Sequence, residues 1–414
     1  MKFRKNFSQA KKFLNDEKIF FVLGPRQVWK TSLIKNLFET LDSDKKFFIN
    51  LEDRSKHKFF DTPEWFLNFI DYKNSSEEKY YLFLDEFQLL DWVDWKLKTL
   101  FDDYKNIKII ASWSNNISIN HKIKESFAWR KRVLNVFQLD FDEYLIWKFW
   151  DFTEKFSEDE KNFWEIIFWL EKFKKNLLNE KKNFLALENF LIYWWYPEIV
   201  LSKTKDEKNE IFEWLFWNWF NKDIFWEIKK DVSFHNFLEQ LSFKNSQILN
   251  YADLSKTSWI SIHTVKNYLF LLEQTFIWFW IKPFFTNKLK ELVKAPKFYF
   301  LDNWFRNFLI KRFNFSNEEF WWLFEWFIFS EMIKNWINNF DIKYWRTNNW
   351  SHEVDFVLEI YEKIFEIKYK EKNKISDERW LKKFLQTYKN FSWMILNKKN
   401  FSKEILEIKN NPNK

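Results

Sequence analysis

Lys30 and Thr31 follow Gly24 at the spacing G-x-x-x-x-G-K-S/T, a pattern that holds nucleotide phosphates against backbone N–H groups at the start of a helix. In that chemistry Lys30 reaches the β- and γ-phosphates and Thr31 offers its hydroxyl oxygen to Mg2+, with Ser32 a neighbour of lower weight. About 55 residues later the apolar run Tyr80-Tyr-Leu-Phe-Leu ends in Asp85 and Glu86. Asp85 suits the magnesium shell, and Glu86 suits orienting or polarising the attacking water. The run IKIIAS ends in Ser112-Trp113-Ser114, which is either a polar tip that senses a γ-phosphate or a simple strand-end turn. Arg130, in Phe-Ala-Trp-Arg, is a candidate charge-stabilising finger or a surface helix residue. ATP and Mg2+ are the ligands this set implies.

One position resists. Where the pattern has its second glycine the chain has Trp29, and an indole there blocks the approach of phosphate to backbone. The chain holds 1 Gly and 28 Trp, together 29 of 414 residues. That is roughly the 7 % that glycine alone ordinarily takes. Trp259 follows Ser258 in a helix-turn-helix turn, Trp194-Trp195 precedes Tyr-Pro-Glu, and Trp350 sits between Asn349 and Ser351 in a hairpin tip. Each is a place for φ > 0, for which Trp is a poor choice. Some bacterial lineages read the UGA codon as glycine, while a common alternative translation table reads it as Trp. On this reading most of the tryptophans stand where the organism inserts glycine, and a few, Trp345 among the candidates, are genuine. An aromatic-rich protein is the alternative, and it leaves 414 residues with almost no glycine for turns.

The elements that must position these residues follow from the apolar pattern. Residues 18–115 alternate short apolar runs with helical stretches, the mark of a parallel sheet covered on both faces. The fold class is therefore α/β, with an ATPase core over 1–150. Residues 151–240 read as a helical subdomain of charged amphipathic helices, with KDEKNE at 205–210 an exposed connection. Residues 241–290 carry two short helices about the turn at Trp259, Ser261 as cap of the second, and a β-rich segment, which is a winged-helix pattern. That unit either packs domains together or contacts DNA through His263, Lys266 and Asn267. Residues 291–408 form an α+β unit with strands IKYWRT, HEVDFVLEI and KIFEIKY and a helix near RWLKKFLQTY, and NNPNK is a loose tail.

In this last unit Asp355 lies on one strand, Glu366 and Lys368 on the next, and Glu331 on the preceding helix. Strand alternation puts Glu366 and Lys368 on one face. Such a cluster can bind Mg2+ through Asp355 and Glu366 while Lys368 steadies a water. The same strands are also what a half-exposed hairpin shows, with its charges facing solvent.

Composition sets outer limits. A chain of 414 residues has room for roughly two to four domains. The absence of Cys excludes disulfides and thiolate zinc sites and suits a reducing cytoplasm. No signal core and no run of 18 apolar residues occur, so a soluble cytoplasmic protein with no membrane contact is expected. The net charge of +8 is mildly compatible with a polyanion, making DNA or RNA a candidate partner, though Lys is inflated together with Asn, Ile and Phe as in an AT-rich genome.

With Trp read as Gly, GPRQV(G)KTSLIK, FLDEFQ, ASGSN, FAGRKR with QLDFDEYL, GGYPEIVL, KFYFLDNGFRN and GSHEVDFVLE resemble the bacterial and archaeal AAA-type ATPases that carry a C-terminal DUF4143 domain. The resemblance runs in order over nearly the whole chain. It implies a P-loop ATPase core followed by a winged helix and a restriction-endonuclease-like fold similar to the PD-(D/E)XK nucleases. The activity expected is Mg-dependent ATP hydrolysis coupled to the C-terminal modules, in an oligomer if an arginine is shared. A nucleotide-gated switch with little turnover and an ATP-regulated metal-dependent nuclease are the alternatives.

Overall fold

The computed structural model describes residues 4–410 apart from 71, 73–77, 91–92, 115–126, 128, 150–159, 178–181, 194–195, 220–227, 229–231, 245, 317, 336, 348–351 and 371–377. Trp194, Trp195, Trp350 and most of the NNPNK tail lie outside the described residues. The chain divides into two compact units, one formed by Lys2–Leu139 with Gln274–Phe276, the other by Asp140–Glu273 with Ile277–Lys414.

In the first unit, strands β1 (Ile19–Leu23), β2 (Lys46–Asn50), β3 (Tyr80–Asp85), β4 (Ile107–Trp113) and β5 (Lys131–Asn135) form one sheet in the order β2-β3-β4-β1-β5. All neighbours are parallel. Helices α1 (Asn6–Leu14), α2 (Lys30–Thr40), α3 (Pro63–Phe69) and α4 (Val93–Asp103) accompany it. Strands β1 and β4 are buried along their whole length, which is why they read as unbroken apolar runs and not as alternation. Besides Ser112, the exception within β4 is Lys108. It is 1 % exposed, its ammonium donates to the carbonyls of Asp16 and Lys18, and burial pushes its pKa down to about 7. Because the strands are parallel, the loop after β1 and the acids ending β3 emerge at the same edge of the sheet. Strand β4 lies between β3 and β1 and delivers Ser112 to the two acids.

The second unit begins with α5 (Phe141–Phe149), α6 (Glu160–Leu177), α7 (Lys182–Tyr193), α8 (Pro197–Leu201), α9 (Lys205–Trp219) and α10 (Val232–Ser242). KDEKNE is not a connection but the first turns of α9. Thr204 and Glu207 form a reciprocal capping box, with Glu207 N–H donating to Thr204 Oγ1 at 3.2 Å and Thr204 N–H to Glu207 Oε2 at 3.2 Å. Helices α11 (Tyr251–Ser258) and α12 (Ile262–Gln274) follow, with Trp259 between them at φ 57°. Ser261 caps α12 by accepting the Thr264 N–H at 3.1 Å.

A six-stranded sheet completes this unit, built from β6 (Trp278–Pro283), β7 (Lys297–Phe300), β8 (Ile342–Arg346), β9 (Glu353–Leu358), β10 (Lys363–Lys368) and β11 (Ser392–Asn397) in the order β11-β10-β9-β8-β6-β7. The β6–β7 hairpin after the two short helices pairs through β6 with β8, so the sheet runs across position 290/291. Helices α13 (Lys288–Val293), α14 (Asn303–Leu309), α15 (Phe320–Lys334), α16 (Arg379–Thr387) and α17 (Phe401–Asn410) surround it. Leu381 and Phe384 of α16 close an apolar core with Phe284, Trp345, Val354, Val357, Ile364 and Ile395. The β8–β9 register runs from Lys343↔Val357 to Trp345↔Val354, placing an extra residue on β9 at Asp355–Phe356. Such a bulge turns two successive side chains toward one face.

Candidate functional site

The loop between β1 and α2 is held by its one glycine. Gly24 has φ 153°, and a Cβ there would lie 1.9 Å from the Val136 carbonyl oxygen, so only glycine fits. Gln27 at φ 60° and Trp29 at φ 67° are left-handed. Trp29 is the residue from which α2 starts, and its conformation costs a side-chain-bearing residue about 1–2 kcal/mol. Lys30 is buried, its Nζ donating to the Pro25 carbonyl of its own loop at 2.7 Å.

The acids of β3 meet this loop. Asp85 is 2 % exposed and accepts hydrogen bonds from the hydroxyls of Ser112 and Thr31. Burial raises its pKa, against those two bonds and the nearby Lys30 charge. Glu86 has φ 54°, a strained backbone at the point where the strand ends. Burial pushes the Glu86 pKa up, yet Lys30, the Ser114 and Gln88 hydrogen bonds and Arg26 outweigh it and hold the carboxyl below its ordinary value. Ser114 Oγ donates to Glu86 Oε2 at 2.6 Å, and the Glu86 N–H donates to Ser112 Oγ at 3.0 Å. The structure thus brings Gly24, Trp29, Lys30, Thr31, Asp85, Glu86 and Ser112 together, with Ser32 half-buried in the first turn of α2. Gln88 was not foreseen; its signal was a carboxamide two residues beyond Glu86, within reach of both Glu86 and Ser114. The Thr31 hydroxyl and Asp85 carboxylate form an all-oxygen set around a buried anion, which fits a hard divalent cation.

Arg130 is elsewhere. Its carbonyl accepts the N–H of Ile19, at the start of β1, whereas the loop leaves the end of β1 about 13 Å away along the strand. Its guanidinium is engaged by Asp102 at 2.8 Å and lies 4.3 Å from the Trp129 ring centroid. A finger acting on the loop of the same chain is excluded by this placement.

In the second unit the Asp355 side chain accepts the Ile367 N–H at 2.7 Å, bridging β9 and β10 where their paired register has stopped at Phe365↔Phe356. Lys368 Nζ donates to Glu366 Oε1 at 2.6 Å, while Glu366 Oε2 is buried with no hydrogen-bond partner. Burial, then the charge of Asp355, pushes the Glu366 pKa up to about 8 against Lys368.

Glu331 does not join them. Its carboxylate accepts the Phe141 N–H at 3.2 and 3.3 Å, at the start of α5. The acid that α15 turns toward Asp355 and Glu366 is Glu325, whose charge raises the pKa of Glu366 and which is itself raised to about 7, by burial first. Six residues separate the two acids, about 240° around a helix. Glu325, Glu353, Asp355 and Glu366 line a cavity of about 1300 Å³ with Lys266 and Arg306 on its walls. His263 and Asn267 share the exposed side of α12, 3.3 Å apart.

The tryptophans bear on both units. Besides the left-handed Trp29 and Trp259, the indole N–H groups of Trp113, Trp219, Trp304 and Trp326 are buried without a partner. Each such group costs about 1–3 kcal/mol. Ring packing does not separate these from Trp345, which meets Phe384 edge-to-face with ring centroids 5.3 Å apart, as Trp113 meets Phe87 and Trp219 meets Phe305.

Three family models match: an AAA domain over residues 16–145, a domain of unknown function, DUF8612, over 185–316, and DUF4143 over 322–411. No curated protein matches the chain significantly in sequence. Among solved structures, similarity extends to the Aeropyrum pernix ORC2 protein in its ADP form, at 12 % identity and TM-score 0.34 over 67 % of this chain and 88 % of that one. The Aeropyrum pernix ORC1 protein in complex with DNA matches at 8 % identity and TM-score 0.31, over 74 % and 91 %. Caenorhabditis elegans PCH-2 matches at 19 % identity and TM-score 0.26, over 34 % of this chain and 43 % of that one. Scores this low carry no argument about activity. Among the described residues no helix is long and apolar enough to cross a membrane.

Proposed function

From the AAA domain at the N-terminus and the DUF4143 domain at the C-terminus, both of which this chain carries, we propose that it binds and hydrolyses ATP and that nucleotide state repositions the modules that follow. The observation that supports this most is the convergence of Lys30, Thr31, Asp85 and Glu86, with Ser112 and Ser114 bracing the two acids from the neighbouring strand. In-line attack of water on the γ-phosphate needs little beyond positioning and charge stabilisation. Lys30 leaves the Pro25 carbonyl and pairs with the β- and γ-phosphates. Glu86, held ionised, accepts a hydrogen bond from the attacking water and orients it. Thr31 and Asp85 would hold Mg2+, which would neutralise charge developing on the phosphate oxygens.

The reading includes glycine at position 29 in the native protein, since a bare Cα is what lets phosphate reach the amides of the loop. It also takes the helix-turn-helix and hairpin of residues 241–290 as a winged-helix module, with DNA or RNA as the polyanion it would meet. Phosphate release by the Trp29→Gly chain, with and without Glu86→Gln, is the test. Rapid release that falls at least about a hundredfold with Glu86→Gln, while ATP still binds, supports hydrolysis. Tight ATP binding with negligible release in both chains would instead indicate a nucleotide-gated switch.

A further inference from the structure

The acidic centre of the C-terminal sheet already contains a cation. Lys297, at the start of edge strand β7, extends over the Tyr344 ring of β8, its Nζ 5.4 Å from the ring centroid. Its ammonium pairs with Glu353 of β9 and lies 3.8 Å from Glu325 Oε1 of α15. The side chain is 6 % exposed, and although burial alone would lower its pKa, the charges of Glu325, Glu353 and Asp355 raise it well above the ordinary value. A lysine so placed stays charged and has no solvent to withdraw into.

Several of the surrounding oxygens are committed as well. Glu325 Oε1 accepts the Tyr299 hydroxyl at 2.9 Å, Arg346 pairs with Glu353 at 3.1 Å, Asp355 caps the Ile367 N–H, and Lys368 holds Glu366 Oε1. Among these named atoms Glu366 Oε2 is buried without a hydrogen-bond partner, on a residue that lines the cavity. Among the described residues no three carboxylate or imidazole groups converge on a point that a metal ion could occupy. A divalent ion at Asp355 would meet the positive charge of Lys297 and of Lys368, both of which already act on that carboxylate and repel a second cation. The residues present therefore do not fit the metal that a cleaving site of this layout requires.

We infer that Lys297 is the built-in cation of this centre and holds the place of a divalent metal, so that the C-terminal domain is not a metal-dependent nuclease. The inference is independent of the ATPase reading, because it concerns a different unit and is tested without nucleotide. Mn2+ binding to the full chain is followed by electron paramagnetic resonance, comparing the unaltered chain, Asp355→Asn, Lys297→Met and the double variant. The unaltered chain is expected to bind no Mn2+ that Asp355→Asn removes. Lys297→Met is expected to gain at least about tenfold in Mn2+ affinity, the scale of supporting-shell effects on metal sites, and to lose that gain in the double variant. A Mn2+ ion held by the unaltered chain and released by Asp355→Asn overturns the inference, as does a folded Lys297→Met chain that gains nothing. Should Lys297→Met fail to fold, the comparison of the unaltered chain with Asp355→Asn decides alone.

Discussion

Replacing Trp29 by glycine perturbs one residue and should alter two measurable quantities. Its backbone lies at φ 67°, ψ 38°, where a side chain costs about 1–2 kcal/mol, so relieving it should raise unfolding free energy by that amount. The second effect is on ATP. A phosphate oxygen must come within about 2.9 Å of the loop amides, a distance that a bare Cα permits and a half-buried indole before Lys30 does not. Binding must also release Lys30 from the Pro25 carbonyl, a cost of about 1 kcal/mol that the charge-assisted bonds to phosphate repay. We therefore expect the unaltered chain to bind MgATP no better than about millimolar and the Trp29→Gly chain near micromolar, a difference of about 4 kcal/mol. Isothermal titration with MgATP reads the affinity, and a urea titration reads the stability. Equal affinities in the two chains, or micromolar binding with Trp29 intact, would refute the steric reasoning.

Three further outcomes follow from the same structure. Trp259 is 92 % exposed in a left-handed helix C-cap, so Trp259→Gly should stabilise the second unit by about 1 kcal/mol in denaturant titration, and a destabilised variant would contradict this. Lys108 has a pKa of about 7 when folded against 10.5 when unfolded, so the unfolded chain binds more protons between those values and stability contributed by this group rises with pH across them. The stability of Lys108→Met relative to the parent should accordingly decline by up to about 4 kcal/mol from pH 7 to pH 10, and a difference independent of pH would show that folding does not depress the amine's pKa. Arg130→Ala should cost at most about 1 kcal/mol through its partly exposed pair with Asp102 and leave ATP turnover in dilute protein within about twofold, whereas a hundredfold loss would return Arg130 to the phosphate site.

Much of the first unit was legible because its signals are local. The apolar run to Leu23, the loop and the run ending at Asp85 and Glu86 each carry their own punctuation, and a parallel sheet then puts their ends on one edge. The place of Arg130 was open in the sequence because it depends on which end of β1 the chain returns to after residues 115–126, a matter of topology that no local pattern encodes. Glu325 was missed in favour of Glu331 because α15 is buried on nearly every side from Phe320 to Lys334, so apolar periodicity marks no inward face. Lys297 gave no signal either. A lysine opening an edge strand reads as solvated, and only the acids reaching it from β9 and α15, across two later strands and a helix, make it a buried ion.

The claim beneath the ATPase reading is that residue 29 is glycine in the cell. Peptide mass spectrometry of the protein purified from its native organism reads that residue directly, in the segment from Gly24 to Lys30. A residue with the mass of glycine is expected at position 29. A tryptophan residue intact at that position would contradict it and close the nucleotide site with the protein's own side chain.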